Sequence, residues 1–221
     1  MAKKIYLSPS SQEANTYASG GTNEQEQCRR IARAAEAALK RCGFSVMCGD
    51  SGTMYTRVAD SNNWGADLHV PIHTNAFNKA TAGTRLMCSK IGGDGYKACT
   101  AIYAVLAPLT PGTSENITAH PELYEIKSTK APCAYIEVDF HDVASVANWI
   151  IGHVEDIGEA IAKGICNYYG VMYKAAQAAE PAENPKTIYR VQVGAFHVKR
   201  NAERLRDELK GRGYDAFIVE A

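Results

Sequence analysis

No segment of the 221 residues approaches the roughly 20 consecutive apolar positions of a membrane span. The opening Met1-Ala2-Lys3-Lys4-Ile5-Tyr6-Leu7 moves straight into strand-like sequence, without the apolar core of a signal peptide. A protein made in the cytoplasm, with no export signal of its own, is the expectation. Charge of one sign is missing too: Lys+Arg and Asp+Glu each number 24, so no overall field favours nucleic acid or an anionic membrane. The seven cysteines, at 28, 42, 48, 88, 99, 133 and 166, are odd in number and nowhere spaced as CxxC. That argues against a disulfide framework or a thiolate metal cluster and for reduced, buried thiols. What the chain does have is 46% hydrophobic residues, enough to pack one medium domain and a small appendage.

Short apolar runs alternate with helical periodicity from Ile5 to Tyr169. Ile5-Tyr6-Leu7 reads as a first strand closed by Ser8-Pro9-Ser10-Ser11. Thr22 or Asn23 can cap a helix over 24–41, in which Cys28, Ile31, Ala32, Ala35, Ala38 and Leu39 recur at helical spacing. Strands are expected at 44–46, 67–72, 84–88, 123–126 and 134–138, and helices at 57–64, 96–109 and, as one long closing helix, within 143–169. The pattern predicts an α/β fold, a mostly parallel twisted sheet with helices on both faces. Residues 174–186 change to an Ala-, Glu- and Pro-rich composition and read as a linker between a domain at 1–173 and a unit at 187–221. That unit reads as a small βαβ: a strand at 189–196, a helix at 201–210 and a strand at 214–219.

The most informative stretch is Ala66-Asp67-Leu68-His69-Val70-Pro71-Ile72-His73-Thr74-Asn75-Ala76. It places His73 where a buried strand emerges, the edge at which open α/β sheets carry their chemistry. Glu24 opens the first helix, although the helix dipole alone accounts for a glutamate there. Glu137 interrupts an apolar strand, where a carboxylate needs a metal, a raised pKa or a salt bridge to an arginine. Two carboxylates and an imidazole on one rim suit a hydrolytic zinc site, which needs nitrogen and oxygen ligands and an open position for water.

Ile5-Tyr6-Leu7-Ser8-Pro9, Thr22-Asn23-Glu24, Arg57-Val58-Ala59-Asp60-Ser61-Asn62, Ala66 to Ala76, and Pro132 to Glu137 with Phe140 occur in the order found in zinc N-acetylmuramoyl-L-alanine amidases. Over most of residues 1–170 the chain resembles that family of bacterial wall remodelling and phage lysis. The resemblance implies an α/β sheet between helices, zinc as cofactor and peptidoglycan as substrate; the missing export signal favours a lysin that reaches the cell wall after release by a hole-forming partner. It puts Glu24 and His73 on zinc ligands and Glu137 on the carboxylate that activates water and protonates the leaving amine. In one place the chain departs from the family: a histidine in a Pro-Gly-His context is expected after the first strand, and here Pro9-Ser10-Ser11 is followed by Gln12. The third ligand is then His141, Gln12 or water. His69 is less apt, since four strand residues set it about 13 Å from His73. A wall-binding protein without metal and a zinc peptidase of the stem peptide are the competing functions. The tail resembles half of a sporulation-related (SPOR) repeat, a peptidoglycan-binding module, which implies wall contacts at Gln192, Gly194 and Phe196. Two chains pairing their tails would rebuild a whole module in a homodimer.

Overall fold

The computed structural model describes residues 2–113, 116–176 and 191–220. They fall into two units, Met1–Ala176 and Gln177–Ala221. In the first, strands β1 (Lys4–Pro9), β2 (Ser45–Cys48), β3 (Leu68–Asn75), β4 (Arg85–Cys88), β5 (Asn116–Ala119) and β6 (Tyr135–Phe140) form one sheet in the order β2-β1-β3-β6-β4-β5. Every pairing is parallel except β4 with β6. The mostly parallel α/β sheet flanked by helices is therefore present as expected.

The strands have two different faces, because side chains alternate along each of them. Ile5 and Leu7 of β1, Leu68, Val70 and Ile72 of β3, and Ile136 and Val138 of β6 enter the apolar core. Helices α1 (Glu24–Arg41), α3 (Asp94–Leu106) and α6 (Val154–Tyr169) supply the other half of that core through Ile31, Ala35, Leu39, Ile102, Ile157, Ile161 and Ile165. Helix α6 packs against both α1 and α3. The approach is close at two glycines: a Cβ on Gly158 would overlap Ala34, and one on Gly164 would overlap the backbone of Ile102. The start of α1 is fixed by Asn23, whose side chain accepts from the Glu26 amide at 2.9 Å.

The opposite face carries Tyr6, Ser8, His69, His73 and Glu137 and meets α2 (Met54–Trp64) and α4 (Tyr124–Ser128). Three element assignments differ from the sequence expectation. Residues 123–126, expected as a strand, begin α4, because a four-residue apolar run cannot tell strand from helix by period. The long closing helix is two, α5 (Ala144–Gly152) and α6, broken at His153, whose ring bonds the Trp149 carbonyl at 2.8 Å after a glycine. β5, made of Asn116-Ile117-Thr118-Ala119, was too short and polar to be expected.

In the second unit the expected helix is present as α7 (Lys199–Gly211). Among its described residues, neither 191–198 nor 214–220 joins a β-ladder, so both expected strands go unpaired there. Each would need a neighbouring strand to bond its backbone groups. Residues 189 and 190 of the first expected strand, and 177–186 of the expected linker, lie outside the described residues.

Candidate active site

His73 is delivered by β3, and its Cα pairs in register with that of Glu137 on β6. The ring is 7% exposed and Tyr135 stacks over it at 4.7 Å between centroids. From the start of α1, Glu24 reaches round the sheet edge, and its Oε1 lies 2.9 Å from His73 Nδ1. Gln12, in the loop after β1, brings its amide nitrogen to 3.3 Å from the same ring nitrogen. Asn15 ties the two together, donating to Gln12 Oε1 at 2.9 Å and to Glu24 Oε2 at 2.7 Å. Glu24 is 1% exposed, whereas Gln12 faces solvent. Three side chains from residues 12–24 thus meet on one side of an imidazole that comes from a distant strand.

His73 Nε2, on the other side of the ring, looks toward Glu125 on α4, whose Oε2 stands 3.9 Å away. Glu125 Oε1 accepts from Ser8 Oγ at 2.5 Å and lies 3.2 Å from His69 Nε2. The His69 Nδ1 is 3.0 Å from Ser61 Oγ, and Tyr6 stacks on its ring. His69 is therefore a buried partner of Glu125, placed one pleat pair back along the strand as its spacing required.

His141, the other candidate third ligand, follows β6. Its Nδ1 is committed to Thr74, 2.9 Å from Oγ1 and 3.0 Å from the carbonyl oxygen, and its ring lies flat on Tyr17. Gln12 is thus the candidate that the fold brings within hydrogen-bond distance of the His73 ring. Among the described residues, no three His, Cys, Asp or Glu side chains cluster as a metal centre.

The charges on this face are strongly perturbed. Burial opposes charge on Glu125, yet His69, His73 and Ser8 outweigh it and hold the carboxyl down at about 2. Burial likewise opposes the imidazolium of His73, and Glu125 and Glu24 overcome it, lifting His73 to about 9. Glu24 is lowered: burial works against it, and the bond to His73 prevails. Glu137 goes the other way. Desolvation pushes it up to about 7; attraction to His73, which exceeds the repulsion from Glu24, and to Arg85 offsets only part of that rise. Its Oε2 is sealed from solvent and, among the described residues, has no hydrogen-bond partner. Arg85 is its Cα neighbour on β4, but the guanidinium instead lies over the Phe140 ring at 5.0 Å. A carboxyl pushed up to about 7 with an orphaned oxygen, beside an imidazole, is suited to exchanging a proton with something placed between them.

Glu125, Asn15 and Tyr135 were missed in the sequence. For Glu125 the signal was available: it interrupts Leu123-Tyr124-Glu125-Ile126 as Glu137 interrupts its own strand. Asn15 and Tyr135 carry no such mark.

In the tail, the Gln192 amide donates to the Gly194 carbonyl at 3.4 Å. A Cβ on Gly194 would meet Phe196 at 2.7 Å and Leu205 at 3.2 Å, so this glycine lets the aromatic ring lie against the backbone.

An open α/β sheet whose polar side chains converge beyond the carboxyl ends of its central strands has the layout of a catalytic α/β domain. A family model described as N-acetylmuramoyl-L-alanine amidase matches residues 8–167, and one described as SPOR domain matches residues 185–221. The chain belongs to the N-acetylmuramoyl-L-alanine amidase family: it is a peptidoglycan amidase domain followed by a SPOR domain. It is 24% identical over 239 residues to the sporulation-specific N-acetylmuramoyl-L-alanine amidase of Bacillus subtilis (strain 168), covering 98% of this chain and 84% of the relative. The catalytic domain of CwlV, an N-acetylmuramoyl-L-alanine amidase from Bacillus (Paenibacillus) polymyxa var. colistinus, superposes with a TM-score of 0.70 at 20% identity, over 77% of this chain and 99% of that one. The catalytic domain of the CD27L endolysin targeting Clostridia Difficile gives 0.59 at 21% identity, over 75% and 97%. No helix among the described residues is long and apolar enough to cross a membrane.

Proposed function

We propose that this chain hydrolyses the amide between N-acetylmuramic acid and L-alanine in peptidoglycan, with a zinc ion held by Glu24, His73 and Gln12 and with Glu137 as general base and acid. The observation that carries the reading is the meeting of Glu24 and Gln12 at one nitrogen of His73, with the orphaned Glu137 oxygen in register across the strand pair. Oxygen and nitrogen donors of this kind suit zinc, and the amide of Gln12 presents an oxygen as well as a nitrogen. What zinc supplies in such a site is Lewis-acid polarisation of a carbonyl and acidification of a water toward a pKa of about 7. Glu137 takes the proton of the attacking water and hands it to the departing L-alanine nitrogen. Its raised pKa of about 7 lets it both accept and return that proton near neutrality. Asn15 holds Glu24 and Gln12 in place, and Tyr135 limits rotation of the imidazole.

Zinc analysis of the purified protein, with detection of new L-alanine amino termini in digested peptidoglycan, tests the reading. One zinc per chain together with those termini is the expected result. Other new termini would signal a stem-peptide peptidase. A second reading, a wall-binding protein without turnover, is favoured by one observation: an amide stands where a third imidazole or carboxylate would complete the cluster. It predicts peptidoglycan binding with neither zinc nor new termini.

In the proposed role the enzyme acts on the wall after release from the cytoplasm, as a lysin does. The tail holds it there through Gln192, Gly194 and Phe196. Val191, Val193, Phe196, Val198, Tyr214, Phe217 and Val219 are all exposed in that unit, an apolar content that a second copy of the tail would cover. Pairing would give two wall contacts per assembly and the avidity that follows. Light scattering is expected to show a dimer that becomes a monomer on deletion of 187–221; a monomeric full chain at micromolar concentration removes pairing.

A further inference from the structure

The amidase reading assigns the Nδ1 side of His73 and leaves its Nε2 side unexplained. There a carboxylate only 4% exposed sits on the first turn of α4. Such a group is costly to bury unless its charge is used or compensated. Its compensation is built from three elements. Ser8 of β1 donates to Oε1, His69 of β3 shares the same oxygen, and His69 is itself fixed by Ser61 of α2. The short helix that carries Glu125 is pinned as well. Asn62 of α2 donates to the Ser128 carbonyl at 2.9 Å and accepts from the Lys130 amide at 2.7 Å. With Oε1 held on two sides, Oε2 is left aimed at His73 Nε2, 3.9 Å away.

An imidazole can offer a lone pair from one ring nitrogen only if the proton resides on the other, and the acceptor beside the second nitrogen decides which tautomer forms. We infer that Glu125 is a positioning residue: held by Ser8 and His69, it fixes the proton of His73 on Nε2 and so turns Nδ1 toward Glu24 and Gln12 as the metal-binding nitrogen. Tyr135 stacks on the ring and restrains its rotation; Glu24 Oε1, 2.9 Å from Nδ1, competes with Glu125 for the proton, and a cation held by Glu24 and Nδ1 would remove that competition. At 3.9 Å the Glu125 contact is an ion pair, about 1 Å longer than a charge-assisted hydrogen bond. Holding the proton on Nε2 requires it to shorten to such a bond when Nδ1 is engaged. The Ser61–His69–Glu125–His73 chain is thus an outer shell for the centre, reaching it from the face of the sheet opposite the apolar core.

This inference rests on the metal-site reading above, and the test separates the two. In zinc-loaded wild-type protein, long-range proton–nitrogen NMR should show His73 protonated at Nε2, with a low-field, slowly exchanging ring proton, and unprotonated at Nδ1. A proton on Nδ1 overturns the inference without touching the zinc reading. Wild-type protein that takes up no zinc overturns both, beginning with the zinc reading. Glu125→Gln, nearly isosteric, should bind zinc about 10- to 100-fold more weakly in competition with a chromophoric chelator. Asp139→Asn is the comparison: it removes another buried carboxylate, one bonded by the Gly83 and Phe140 amides, and should leave zinc affinity unchanged. Equal affinity in Glu125→Gln and wild type, or an equal loss in Asp139→Asn, counts against the inference. If Glu125→Gln does not fold, the wild-type tautomer alone decides.

Discussion

Residues 68 to 73 of β3 supply both faces of the sheet, and the two faces could hardly differ more. Leu68, Val70 and Ile72 point into the apolar core shared with α1, α3 and α6. His69 and His73, one residue out of step, point toward α2 and α4 and meet Ser61, Glu125, Glu24 and Gln12. Because the period is two, a single strand can anchor the fold and present the chemistry without either job compromising the other. The apolar face also makes the polar one tolerable: the desolvated charges of Glu24, Glu125 and Glu137 are destabilising on their own account, and the packed side offsets them. Residues that break local rules cluster on the face that does not hold the fold together.

The contrast breaks first, and furthest, at His73. His73→Ala is expected to lose zinc and hydrolysis together while the circular dichroism spectrum stays native; stoichiometric zinc in that variant would take His73 off the ligand set. Next comes Glu137→Gln, expected to retain metal and fold and to slow the appearance of new L-alanine amino termini by roughly 100- to 10,000-fold. Near-normal turnover there would leave the proton transfer without an agent. On the other face, Leu68→Ala should destabilise by about 2–5 kcal/mol in urea unfolding. Below its transition it should still bind one zinc. Loss of zinc without loss of stability in Leu68→Ala would mean that the two faces are not separable.

The apolar face was nearly all legible in the sequence. Helical and strand periods in 24–41, 67–72 and 134–138 name most of its core residues, since burial imposes a regular pattern. The polar face was legible only in part. His73 and Glu137 stand out because each sits at or in an apolar strand, and Glu24 because family resemblance marked it. Glu125 was hidden by a misread element: taken as strand, 123–126 gives its side chain no definite direction, whereas on α4 it points at two histidines. His69 was set aside by its distance along the strand. That reasoning holds for a shared metal but not for a shared carboxylate, which spans the gap with its two oxygens. That Gln12 contacts the His73 ring depends on loop geometry, which no period encodes.

The smallest expected effect is also the one that distinguishes the faces without any catalysis. In metal-free protein, His73 has a folded pKa of about 9 against an ordinary 6.5. Its contribution is therefore complete below pH 6.5 and is lost as pH rises through 9. Glu137 acts in the same sense, since its pKa rises from 4.5 to about 7. The fold tolerates the neutral acid, and ionisation across that interval costs at most about 3 kcal/mol. Glu125, held down at about 2, contributes stability above pH 4.5 that disappears only as pH falls through 2. Chelator-treated protein should accordingly lose stability from pH 5 to pH 9 in urea titrations. Glu137→Gln, which cannot ionise, should flatten the part of that decline below about pH 7, gaining on the wild type as pH rises. Leu68→Ala should lower the whole curve in parallel, because its side chain lies in the apolar core and not on the face that carries the shifted histidine and carboxylates. A metal-free wild type with a level profile, or a Leu68→Ala curve of altered slope, would show that the charges of the polar face are not isolated from the core in the way the alternation of β3 requires.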